Sequence, residues 1–348
     1  MKNNLSLALL LSLCSFSQNP KAATLDKYPT FQKGASYVSW WFDQYGYAES
    51  KVALQELRQT NTESISLLTT YYMPTKNSTS ISSNSQKTPT DASLRTAISN
   101  ARTYGMDVML KPHVDILDGS LRGDISFQTE QDWQAWFNSY KNFINQYADF
   151  AKTNNIKLLC VGTELKGTSH RTSDWQSVIQ GVRQRFSEKI VYASNWDEVD
   201  KISWFDKLDY IGVDAYFPLT NKNNPTIDEL VTAWQPHISK IEQVYNKFKK
   251  PILLTEIGYR SRDGTNIQPW KEAIDLNEQA DCYEAAFRVL WHKPWFYGMY
   301  FWNWTTDPNQ GGTSDLDFTP HGKPAETIIK NWYANQRTTN AKGWDLYE

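Results

Sequence analysis

Eight short apolar runs alternate with stretches of helical spacing along this chain, and that alternation constrains its fold more than any other feature. The runs are residues 34–39, 64–70, 107–111, 156–161, 189–193, 209–213, 251–255 and 298–302. Helical periodicity marks residues 50–59, 91–104, 130–153, 173–186, 227–248, 276–291 and 324–333, while a short, poorly periodic segment precedes the sixth run. Strand and helix in alternation call for parallel strands joined by helical crossovers. Eight such units over about 310 residues fit the ~250-residue core of a single (β/α)8 TIM barrel with loop insertions. No Pro/Ser-rich linker divides the chain, so one domain is expected over residues 24–348.

Within this frame the helix at 91–104 carries its start signal in Thr88-Pro89-Thr90-Asp91. In the helix at 130–153, Trp133, Trp136, Phe137, Tyr140, Phe143, Ile144 and Tyr147 recur at helical spacing and are expected to be core. The polar, Ser- and Asn-rich stretch 75–87 reads as a solvated loop at the C-terminal end of the second strand.

The 348 residues are 40% hydrophobic and 21% charged, enough for a large core and unlike a disordered chain. A formal net charge of -2 offers no basic surface for a polyanion, so nucleic acid is not an expected partner. Aromatic residues make up 14%, with 15 Trp and 19 Tyr, which suits both an aromatic core and a cleft whose flat apolar faces meet sugar rings.

Met1-Lys2-Asn3-Asn4, the apolar run from Leu5 to Leu13 and the small residues after it form the pattern of a secretory signal peptide over residues 1–23, cut after Ser17 or near Ala22-Ala23. The run is too short to span a bilayer. Cys14 is where a lipid would attach, but the bulky Leu13 before it argues for simple export, secreted or periplasmic. The other two cysteines, Cys160 in an apolar run and Cys282 in a helical stretch, are expected to be buried free thiols.

Two glutamates carry the chemistry. Gly162-Thr163-Glu164 closes the fourth run and Thr255-Glu256-Ile257-Gly258 the seventh. In a (β/α)8 barrel the active site is built at the C-terminal ends of the strands, so both carboxylates converge on the mouth. A pair of carboxylates is what glycoside hydrolysis needs: one protonates the leaving oxygen, and the other attacks the anomeric carbon or activates water.

The chain resembles the retaining glycosidases of clan A, and most closely glycoside hydrolase family 113, the β-mannanases. The residues that carry the likeness are Lys111-Pro112-His113-Val114-Asp115, Asp118-Gly119, Arg122-Gly123, Gly162-Thr163-Glu164-Leu165, Thr255-Glu256-Ile257-Gly258-Tyr259 and Phe301-Trp302-Asn303-Trp304. The resemblance implies that Glu164 is the acid/base and Glu256 the nucleophile of an endo-β-1,4-mannanase working by double displacement. It also implies that Tyr216 hydrogen-bonds the nucleophile and that Trp302 is a platform under the sugar. Many clan A enzymes place Asn before the acid/base glutamate, where it binds the sugar 2-hydroxyl. This chain has Thr163 there, as family 113 does, so that recognition is not carried over from the wider clan.

Further candidates for substrate contact follow from rim positions. They are His113 after the third strand, Asn195 and Trp196 after the fifth, Asp214 after the sixth, and Trp40 after the first. Trp41 competes with Trp40, since neighbours on an extended segment face opposite sides. Asp115 and Arg122 either bind substrate or pair with each other to brace the loop, and bracing is the expectation for Arg122. No Gly-x-Gly-x-x-Gly, Walker, His-Glu-x-x-His, paired-Cys zinc or Gly-x-Ser-x-Gly motif is present, so no cofactor or metal is implied. The expected substrate is a β-linked polysaccharide or oligosaccharide, handled by a monomer. Alternatives are an exo-β-mannosidase, a xylanase, a β-glucanase, or a barrel that binds sugar without cleaving it.

Overall fold

The computed structural model describes residues 31–266 and 273–335, together with a small antiparallel pair formed by Thr338–Thr339 and Asp345–Leu346. The expected signal peptide, including Cys14, lies outside the described residues. Eight strands, β1 (Gln32–Val38), β2 (Ser64–Met73), β3 (Asp107–Ile116), β4 (Leu158–Thr163), β5 (Lys189–Asn195), β6 (Tyr210–Asp214), β7 (Ile252–Ile257) and β8 (Phe296–Thr305), close into one barrel in sequence order. Every neighbouring pair is parallel, including β8 back to β1. This is the (β/α)8 barrel that the alternation predicts.

The strands read as apolar runs because both faces are covered. On one face, Met109, Leu158, Cys160, Val191, Ala193, Tyr210, Leu253 and Tyr300 form a closed cluster, the plug of side chains that fills a barrel of this size. The alternate residues, such as Leu110, Leu159, Val161, Ile190 and Tyr192, join the larger cluster packed against the helices. Those helices are α1 (Ala48–Arg58), α2 (Asp91–Thr103), α3 (Glu130–Thr153), α4 (Thr172–Arg183), α5 (Ile227–Ala233), α6 (Gln235–Phe248), α7 (Leu276–Leu290) and α8 (Pro324–Ala334).

The seven apolar residues of α3 are all buried, Trp136 stacking on Tyr140 with ring centroids 5.0 Å apart. Thr90 caps α2 by accepting from Ser93 N–H, and Thr226 with Glu229 forms a capping box on α5. Cys160 and Cys282 are buried and free. Among the described residues, no helix is long and apolar enough to cross a membrane.

Two boundaries differ from the sequence reading in ways that matter. The helix expected over 227–248 divides at Trp234, because Pro236 lacks an N–H and is suited to the first turn of a new helix rather than an interior. Strand β3 runs five residues beyond 111, so Lys111, His113 and Asp115 are strand residues whose side chains alternate in direction with Pro112 and Val114.

Candidate active site

Glu164 directly follows β4 and has φ of 53°, a left-handed conformation in which a non-glycine residue carries strain. Three contacts hold it there. Its N–H donates to Ala193 O at 2.8 Å, the Tyr192 hydroxyl accepts from the next amide, Leu165 N, at 3.1 Å, and Gly167 N donates to Gly123 O at 2.8 Å. Gly167 is needed for close approach, since a Cβ there would lie 2.2 Å from Ile125 O. Gly167→Ala is therefore expected to cost roughly 1–3 kcal/mol by overpacking. Chemical denaturation measures that loss, and unchanged stability would show that the two loops tolerate separation.

Glu256 lies within β7, where the pairing of β6 with β7 shifts register between Val213 and Asp214. Its carboxylate is buried and held at both oxygens: Oε1 accepts from Lys111 Nζ, and Oε2 accepts from the Tyr216 hydroxyl at 2.7 Å. Lys111, fully buried, is also 3.5 Å from Asp214 Oδ1, and that oxygen accepts from Thr255 Oγ1 at 2.7 Å. Burial pushes the Lys111 ammonium down, but Asp214 and Glu256 together outweigh it and hold the group above its ordinary value. Burial, reinforced by the Glu256 charge, raises the Tyr216 hydroxyl, which stays a donor.

Arg122 links the two halves of the site. One guanidinium nitrogen donates to Asp115, and the other donates to His113 Nδ1 at 3.2 Å and lies 3.5 Å from Glu164 Oε2. The expected brace to Asp115 is present, and the contact to Glu164 adds to it. Since Arg can only donate, His113 Nδ1 must accept, and its hydrogen belongs on Nε2. Burial, then the charges of Arg122 and Lys111, keep this imidazole well below its ordinary value, hence neutral. Nε2 is buried without a hydrogen-bond partner, 3.9 Å from Glu256 Oε1. Trp302, half-buried beside it, lies parallel to the His113 ring, 11° between planes and 6.5 Å between centroids.

Burial also raises the Glu164 carboxyl to about 7, the Glu256 charge adding to the effect and Arg122 opposing it. The two carboxyl groups thus differ in surroundings. Glu256 is gripped by a cation and a hydroxyl, whereas Glu164 faces an open cleft of about 920 Å³ lined by Trp40, Trp41, Asn195, Trp196 and Lys166 among others. A second hollow of about 370 Å³ lies beyond Trp196, walled by Tyr216, Phe217, Tyr259 and Phe318.

The rim candidates are placed unequally. Trp40, Asn195 and Trp196 line the cleft. Trp41 lines it too, because β1 has ended at Val38 and the strict alternation of a strand no longer applies. Asp214 is fully buried beneath Glu256, against Lys111, and does not form part of the cleft wall. Thr163 is buried, its hydroxyl 3.7 Å from Cys160 Sγ. Two functional-looking residues receive no role from sequence: Lys111, quoted only as part of the family likeness, and Glu198, whose buried carboxylate accepts from Asn195 N–H at 2.9 Å and fixes the β5 loop. For Lys111 the signal was legible, since a lysine inside an apolar strand run has to find a charge. Among the described residues, no cluster of His, Cys, Asp and Glu is arranged to hold a metal ion.

A parallel barrel with two differently prepared carboxyl groups at its mouth defines a glycoside hydrolase. The model of glycoside hydrolase family 113 matches residues 39–323, and the chain belongs to that family. A solved family 113 β-1,4-mannanase is 27% identical over 88% of this chain and 100% of its own, with a TM-score of 0.81. The family 113 β-mannanase AaManA from Alicyclobacillus acidocaldarius, solved in complex with ManMIm, is 26% identical over 88% of this chain and 98% of its own, also at 0.81. A β-D-glucuronidase from Dictyoglomus thermophilum, 15% identical over 88% of this chain and 51% of its own with a TM-score of 0.63, shares the fold. No curated protein sequence matches the chain.

Proposed function

We propose that the protein is a retaining endo-β-1,4-mannanase. The observation that carries the mechanism is the contrast between the two carboxyl groups. Glu164, raised to about 7 and open to the cleft, is prepared to hold and deliver a proton, while both Glu256 oxygens are gripped, one by the Lys111 ammonium and one by the Tyr216 hydroxyl. In the first step one Glu256 oxygen attacks C1, and the C1–O glycosidic bond breaks. The electron pair leaves with the aglycone oxygen, which takes the Glu164 proton. In the second step Glu164 takes a proton from water, the water oxygen bonds to C1, and the bond to Glu256 breaks.

Internal cleavage is supported by the cleft, whose wall includes the exposed Trp40 and Trp41, and by the second hollow, which shares Trp196 with it. The choice of mannan rests on the two β-mannanases that the chain resembles at 26% and 27% identity. We take residues 1–23 to direct export and the enzyme to act as a monomer. A panel of β-mannan, xylan and β-glucan tests the reading. The viscosity of mannan is expected to fall well before reducing ends accumulate, with xylan and β-glucan near background. Stepwise release of mannose would identify an exo enzyme, and a preference for xylan or β-glucan would change the substrate.

A further inference from the structure

The geometry points to Lys111 as the residue that makes Glu256 a good leaving group in the second half of the reaction. The inference rests on the retaining reading above and deepens it. In forming the glycosyl-enzyme the Glu256 carboxylate loses its charge, and in hydrolysis of that ester the charge returns. A donor fixed against the carboxylate in a site closed to water stabilises the returning charge without reorganisation, and such preorganised donors are worth most where charge develops.

Lys111 meets these conditions. Its side chain is completely buried, its ammonium lies on Glu256 Oε1, and it is tied down by Thr255 O at 3.4 Å and by Asp214 at 3.5 Å. Asp214 has a second part in this. A buried ammonium facing a neutral ester would stand uncompensated; Asp214, equally buried and 3.5 Å away, has its carboxyl raised by burial and then by the Glu256 charge, and loss of that charge on esterification favours its anion beside Lys111. Tyr216 holds the other oxygen as a neutral donor, so the cation is the group that separates the two steps electrostatically. Lys111 touches Glu256 and lies below the sugar site, which makes it a positioning residue.

The consequence is asymmetric. Removing Lys111 withdraws stabilisation from the step in which Glu256 regains charge, and leaves the first step much less affected. Lys111→Met is therefore expected to slow deglycosylation on the order of 10²-fold. With a dinitrophenyl β-mannoside, whose departure needs little acid help, the variant should show a pre-steady-state burst and accumulate a mannosyl adduct on Glu256 by intact-protein mass spectrometry. The wild type should show neither. Lys111→Gln, which keeps an amide donor and a similar volume, reads out the same partition if the Met variant folds poorly, and circular dichroism confirms the fold of either.

A merely structural role would reduce both steps together and give no adduct, which overturns the assignment to Lys111. Product NMR on the wild type keeps the two readings apart. Retention without accumulation in the variants rejects the role of Lys111 alone, and inversion rejects the retaining mechanism and this inference with it.

Discussion

Glu256→Ala is expected to bring turnover of β-1,4-manno-oligosaccharides to background, a loss on the order of 10⁴-fold or more, as when an enzyme loses its nucleophile. Nothing else in the site can replace it. Asp214, 3.5 Å from Lys111, is fully buried and hydrogen-bonded to Thr255, and in the proposed mechanism Glu164 serves the leaving oxygen. The truncation also leaves a space between the Lys111 ammonium and the Tyr216 hydroxyl, a pair of donors that suits a small anion. Azide added to the variant with a dinitrophenyl β-mannoside should restore turnover and yield the α-mannosyl azide, because the anion attacks from the face that Glu256 occupied. Mass spectrometry and NMR of the product read this directly. Full activity of the variant on mannan would remove Glu256 from the mechanism, and a β-azide would place the attacking group on the other face.

The parts of this site that were legible in the sequence are those set by local chain direction. Glu164 and Glu256 each follow an apolar run, and a run of that length in strand–helix alternation ends at the barrel mouth, so their convergence needed no side-chain detail. Tyr216 was legible only through the family likeness, and its hydroxyl does lie on Glu256. What escaped depends on closure of the barrel and on departures from regular strands. Lys111 meets Asp214 and Glu256 only because β3 faces β6 and β7 across the lumen, pairs separated by more than 100 positions in the chain. Asp214 reads as a rim residue by position, yet the register shift beside it turns the carboxylate down to Lys111.

Arg122 reads as a local brace for Asp115. The single turn at Arg122–Asp124 and the close approach of Gly167 to Gly123 bring its other nitrogen to Glu164. These are tertiary consequences of short irregular segments, where periodicity carries no information.

The second large effect expected is in the pH dependence, and its sign follows from which form of Glu164 is active. In the proposed mechanism Glu164 carries a proton to the departing aglycone, and burial with the Glu256 charge holds its carboxyl at about 7. The rate constant kcat/KM on mannan is therefore expected to be sustained below that value and to fall as pH rises through about 7, since the lost form is the acid. Glu164→Gln should abolish this limb and depress hydrolysis of unactivated mannan strongly. A dinitrophenyl β-mannoside, whose leaving group needs no proton, should form the glycosyl-enzyme nearly as fast as in the wild type.

Arg122 supplies an independent lever. Its guanidinium, 3.5 Å from Glu164 Oε2, favours the anion, so Arg122→Met should move the limb to higher pH. Esterification of Glu256 acts in the opposite sense: it removes the negative charge that helps hold the Glu164 proton, so the same carboxyl becomes more acidic when it must act as a base on water. Titrating a trapped fluoro-sugar adduct against the free enzyme, with the Glu164 carboxyl carbon followed by NMR, tests this. A lower transition in the adduct is the expected result, and an unmoved one would mean that the two glutamates do not share their charge across the cleft.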